Sequence, residues 1–131
     1  MQILIITHGQ LSKGILNATE MFVSDFKNIK AISLKEGENI DKFKVMIEEI
    51  IEVEKNKDIL CLVDMLGGSP ARVIGELAVN NSNIHLISGV NLPMVIEAII
   101  SYENMPVHEL INHIMAIGKD SIVNLSQKLR N

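Results

Sequence analysis

The stretch Gln2-Ile3-Leu4-Ile5-Ile6-Thr7-His8-Gly9 decides the fold. Its apolar, largely β-branched run has no polar alternation, so it reads as a strand covered on both faces. His8 falls where that strand should end, and Gly9 lets the chain turn sharply away. Ile59-Leu60-Cys61-Leu62-Val63-Asp64 repeats the pattern, a two-sided apolar run closed by one polar residue. Strands of this kind belong to a mainly parallel sheet with helices on both faces, an α/β three-layer sandwich.

The intervening segments supply the helices. Leu11, Ile15, Ala18 and Phe22 recur at helical spacing and predict a first helix from about Leu11 to Val23. Ile29 to Leu34 is a second strand. Gly37-Glu38-Asn39 marks a turn before a helix whose stripe is Ile40, Phe43, Ile47, Ile50 and Ile51, ending near Lys55. After Asp64, Gly67-Gly68-Ser69-Pro70 leads into a third helix beginning at Ala71, Ile74 and Ala78, with Ser69 as N-cap and Pro70 as first residue. Asn83 to Ser88 is a fourth strand. Helices then run from about Pro93 to Ser101 and from Pro106 to a stop at Gly118, and Ile122 to Leu125 reads as a last short strand. No repeat, low-complexity tract or linker interrupts this order, so residues 1–131 read as one domain.

Composition narrows the function. The chain of 131 residues is 47% hydrophobic but only 3% aromatic, with a formal charge of −4. Such a chain lacks the stacking platforms and positive field that nucleic-acid binding requires. The one cysteine, Cys61, lies in an apolar run and reads as a small buried hydrophobe, which excludes a disulfide framework and fits a reducing compartment. No stretch approaches the roughly 18 apolar residues of a membrane span, and the apolar start lacks a basic n-region. A soluble, cytoplasmic protein is expected.

In a doubly wound sheet the site lies beyond the carboxyl ends of the strands, near the point where strand order reverses. The ends here are Thr7-His8-Gly9, Asp64-Met65-Leu66-Gly67-Gly68-Ser69 and Gly89-Val90-Asn91. A histidine beside an aspartate has three uses: a nucleophile whose tautomer the carboxylate fixes, a base for a serine, or a metal ligand. The loop after Asp64 favours the first. Two glycines before a helix start let backbone N–H groups converge on an anion such as a phosphoryl oxyanion. The loop is shorter than a Walker loop and lacks its lysine, which disfavours a nucleotide. No second His or Cys lies at ligand spacing from His8 or Asp64, so no metal or other cofactor is expected. His85, His108 and His113 read as ordinary strand and helix residues, and Arg72 stands against the helix dipole with only a hint of an anionic partner.

These motifs together resemble a known family. Ile5-Ile6-Thr7-His8-Gly9, Leu62-Val63-Asp64-Met65-Leu66-Gly67-Gly68-Ser69-Pro70 and Ser88-Gly89-Val90-Asn91-Leu92-Pro93 look like the IIA component of the mannose family of the bacterial sugar phosphotransferase system. The resemblance implies that His8 accepts a phosphoryl group from phospho-HPr and passes it to a IIB component that serves a membrane IIC/IID complex. Asp64 would hold the histidine, and Gly67, Gly68 and Ser69 would form the phosphate side. It also implies a homodimer that exchanges a C-terminal antiparallel edge strand, here Ile122 to Leu125. Leu66 stands where the family often has an aromatic residue. The chain ends at Asn131 without a second domain, so IIB is expected as a separate polypeptide.

Two other readings compete. A receiver-like domain would be phosphorylated on Asp64, but it needs an acidic pair after the first strand, where Thr7-His8 stands. A regulatory relative would use the same histidine to signal through partner binding without supporting transport.

Overall fold

Six consecutive residues of the opening run, Gln2 to Thr7, are buried and only His8 reaches solvent. Burial on both faces follows from the strand's central place, which a computed structural model describing residues 1–25 and 27–131 makes plain. The element order is β1 (Gln2–His8), α1 (Leu11–Thr19), β2 (Ile29–Leu34), α2 (Ile40–Val53), β3 (Ile59–Val63), α3 (Ser69–Val79), β4 (Ile84–Ser88), α4 (Leu92–Ser101), α5 (Val107–Asp120) and α6 (Leu125–Arg130). The strands pair in the order β2-β1-β3-β4, all parallel. The strand order reverses between β1 and β3, where Ile6 lies beside Val63. His8 and Asp64, the residues just beyond, therefore share one end of the sheet.

Alternating side chains of β1 and β3 feed two cores. On one face Leu4, Ile6, Cys61 and Val63 pack with Phe43, Ile47 and Ile51 of α2 and with Val73 and Ile74 of α3. On the other, Ile3, Ile5, Leu60 and Leu62 pack with Val95 and Ala98 of α4 and Leu110 and Ile114 of α5, and Ile15 of α1 adds to this side. Each buried Leu or Ile contributes about 1.5–3 kcal/mol, so these two layers fix where the strand ends lie. Among the described residues no helix is long and apolar enough to cross a membrane.

Four local expectations change. Helix α1 stops at Thr19, not Val23, and buries Ser12 and Thr19, while Phe22 is 65% exposed. Thr19 Oγ1 donates back to the Ile15 carbonyl, and the amides of Met21 and Phe22 reach only three residues back, so the helix unwinds there. Ser69 is the first residue of α3, not its cap; Gly68 holds the cap position. Gly118 does not stop α5, which continues to Asp120. The glycine instead admits α4, since a Cβ there would come 2.9 Å from Met94 Cε, and its carbonyl accepts from Asn91 Nδ2. Finally, Ile122 to Leu125 is not a strand in this chain: residues 122–124 carry no regular structure and Leu125 opens α6. Ile122 is 81% exposed, and residues 122–125 are not among the four strands of the sheet.

Candidate functional site

His8 closes β1 and Asp64 follows β3, so the pairing of these two strands brings them together from 56 positions apart in sequence. One carboxylate oxygen, Asp64 Oδ2, accepts from the His8 backbone amide at 3.0 Å and lies 2.7 Å from His8 Nδ1. The other, Oδ1, accepts from the Met65 amide at 3.0 Å. An ionised carboxylate can only accept, so Nδ1 carries the proton and Nε2 keeps a free lone pair. The Asp64 side chain is 11% exposed and the His8 side chain 45%, which leaves the carboxylate mostly covered and the imidazole open. Burial alone would push the Asp64 carboxyl up, but hydrogen bonds from the His8 amide and ring, the ring's charge and the backbone hydrogen bond beside the carboxylate outweigh it and hold the carboxyl below its usual range.

The glycine loop lies against the open side of that ring. A Cβ added to Gly68 would overlap His8 Cε1 and stand 3.1 Å from Nε2, so only glycine leaves room for the imidazole as it sits. Gly68 caps α3 in an extended conformation, and Pro70 in the first turn costs no hydrogen bond there. The start of α3 suits an anion through its first-turn amides, although Pro70 supplies none and the Arg72 amide donates to the Gly68 carbonyl. Gly9 takes the chain away from His8 with a φ of +57°, and its amide donates to the Leu34 carbonyl.

Of the residues singled out from the sequence, His8, Asp64 and Gly68 meet directly; Gly67 and Ser69 flank Gly68 at the loop and the helix start. Asn91 is not brought to this group. Its Oδ1 caps α4 through the Met94 amide, and its side chain faces a separate cavity of about 200 Å³ bounded by Ser88, Met115 and Gly118. The sequence reading missed the loop after β2. Leu34 to Glu38, with Ile40, lines an open groove of about 380 Å³ that begins at His8 and Gly9. The signal was the strand order alone, because β2 flanks β1 on the side away from β3.

Histidine–carboxylate pairing is not peculiar to His8. His85 Nε2 lies 2.9 Å from Asp58 Oδ1, with the His108 ring edge-on at 5.8 Å, and His113 Nε2 lies 2.6 Å from Glu97 Oε1. The hydrogen bond from His113 leads the causes that lower the Glu97 carboxyl. What distinguishes His8 is its place beyond the carboxyl ends of the strands, with its second nitrogen turned toward a glycine loop. His85 and Asp58 lie at the opposite end, near the starts of β4 and β3.

Comparisons with known proteins agree on one family. A family model described as the PTS system fructose IIA component matches residues 2–115. The sorbose-specific EIIA component of Lacticaseibacillus casei is 27% identical over 98% of this chain and 94% of its own length. The mannose-specific EIIAB component of Escherichia coli K12 is 29% identical over 96% of this chain, which spans 40% of that longer protein. A crystal structure of phosphotransferase system component EIIA from Streptococcus agalactiae superposes with a TM-score of 0.87 at 30% identity, covering 96% of this chain and 98% of that one.

Proposed function

This chain belongs to the mannose/fructose/sorbose IIA family of the sugar phosphotransferase system, and we propose that within it His8 is the residue that carries the phosphoryl group. The observation that supports this most is the division of labour on one ring. Asp64 holds Nδ1 at 2.7 Å while Nε2 faces Gly68. In the forward step the Nε2 lone pair attacks the phosphorus of phospho-HPr. The donor's N–P bond breaks as the Nε2–P bond forms, and the donor nitrogen keeps the electron pair. The ring keeps its Nδ1 proton and so becomes cationic, and the Asp64 carboxylate offsets that charge. Gly67, Gly68 and Ser69 offer the amides and hydroxyl that receive the phosphoryl oxygens, since catalysis of this transfer is mostly positioning and charge stabilisation. Transfer to a IIB component reverses the same step.

The remaining assignments follow the family. Residues 1–131 act as one IIA domain that meets HPr and a IIB component in turn, with the membrane IIC/IID complex as the final user. The exposed apolar residues Ile122, Val123 and Leu125 support a homodimer in which this face meets a second copy. Leu66, 84% exposed in the loop after Asp64, gives the two protein partners an aliphatic contact.

Incubation with phosphoenolpyruvate, the general phosphotransferase enzyme and HPr, followed by mass spectrometry, tests the reading. One phosphoryl group on the peptide bearing His8, lost in acid and stable in base, is expected, and His8→Ala should fold normally and accept none. Labelling of folded His8→Ala, or a base-labile adduct on Asp64, would overturn the assignment.

A further inference from the structure

The mechanism leaves one buried polar group next to His8 without a role. Thr7 is fully buried, and its hydroxyl does two things at once. Oγ1 accepts from the Ser12 amide at 2.7 Å and donates to the His8 carbonyl at 3.2 Å. Ser12 is the second residue of α1, and the residue in the cap position, Gln10, provides no side-chain hydrogen bond. Thr7 therefore caps α1 from within the preceding strand, a place where capping residues are not normally found. Ser12, itself fully buried, extends the link, because its Oγ donates to the Ile32 carbonyl of β2 at 3.0 Å and lies 3.3 Å from Ser33 Oγ.

His8 is thus gripped at both ends of its peptide unit. Asp64 Oδ2 takes its amide and its ring nitrogen, and Thr7 takes its carbonyl. We propose that the Thr7 hydroxyl, backed by Ser12, is a positioning group for the phosphoryl-accepting histidine, fixing the His8–Gly9 peptide so that Nε2 stays against Gly68. Released from Thr7, the carbonyl can rotate and carry the His8 backbone with it. The ring then loses the geometry in which one carboxylate oxygen serves both amide and Nδ1. A displacement on the order of 1 Å at a reacting atom lowers a rate about 100-fold. The proposal rests on His8 being the phosphoryl acceptor for its rate readout, but its geometric content stands apart from that.

The test compares wild type, Thr7→Val, which keeps the shape and removes the hydroxyl, and Thr7→Ser, which keeps the hydroxyl. Nitrogen-15 NMR of the His8 ring reads the tautomer without any partner protein, and labelling by phospho-HPr reads the rate. Wild type should show one tautomer with the proton on Nδ1. Thr7→Val should show a mixture of tautomers and accept phosphoryl about 10- to 100-fold more slowly, and Thr7→Ser should restore both. A single wild-type tautomer in folded Thr7→Val, or a Thr7→Ser protein as impaired as Thr7→Val, would overturn the positioning role. If Thr7→Val does not fold, Thr7→Ala decides instead: it removes the same hydroxyl, and a single wild-type tautomer there would overturn the proposal. Were no protein labelled, wild type included, the carrier reading would fail while the tautomer comparison still answered for Thr7.

Discussion

At the scale of single residues, Asp64 ties the site together, because its two oxygens accept three contacts, two of them from His8. Asp64→Asn keeps the shape but replaces an acceptor with a donor, so the amide can stabilise the tautomer with its proton on Nε2, where the lone pair is needed. Phosphoryl acceptance should fall about 10- to 100-fold with the fold intact, measured as initial labelling rate beside a far-UV spectrum; an unchanged rate would rule out the tautomer role. The same carboxyl gives a pH signature. Its folded-state value lies below the unfolded one, so its contribution to stability is complete above the unfolded value of about 4 and is lost as pH falls through the lower folded value. Urea midpoints taken downward from pH 5 should therefore decline more steeply in wild type than in Asp64→Asn, and parallel curves would contradict this.

At the scale of elements, the start of α3 matters most. Gly68 was legible as part of a glycine pair, but its reason was not: the sequence cannot say which ring a missing Cβ makes room for. Gly68→Ala should push the imidazole off its place while disturbing little of the core, because the obstructing atoms belong to a half-exposed ring. The expected result is a labelling rate down by more than about tenfold with stability changed by less than about 1 kcal/mol, from paired kinetic and urea measurements. Elsewhere, helix existence was legible from the 3.6-residue spacing and helix ends were not. Phe22 matched the spacing of α1, yet the side chain back-bond of Thr19 ended the helix first. Gly118 looked like a terminator and is a close-packing residue, a distinction that depends on where Met94 of another helix lies. Thr7 escaped notice because its role needs the turn that returns Ser12 to it.

At the scale of the whole molecule, the parallel sheet was legible because β1 and β3 are apolar on both faces, and the polar residues that close these runs, His8 and Asp64, then marked the candidate site. The neighbour relation of β1 to β3 follows from the reversal of strand order, which residue types leave open; the groove along Leu34 to Glu38 was missed for that reason. The two-layered core also has a built-in reporter. Cys61 is completely buried in β3, and burial pushes its thiol up to about 12. It should resist thiol reagents in native buffer and react in step with global unfolding, as followed by labelling and circular dichroism across a urea series; rapid native labelling would show that the sheet opens locally. The pleat of β1 has a further consequence, since Thr7 serves the layer of α1 while the next residue, His8, faces the groove toward α2. Direction along a strand alternates residue by residue, so the sides taken by Thr7 and His8 are written in odd and even positions. Inserting or deleting one residue anywhere in β1 would exchange them, sealing the imidazole inside and turning a hydroxyl outward, whereas a change of two would preserve both. The length of this strand is therefore constrained by parity as well as by packing.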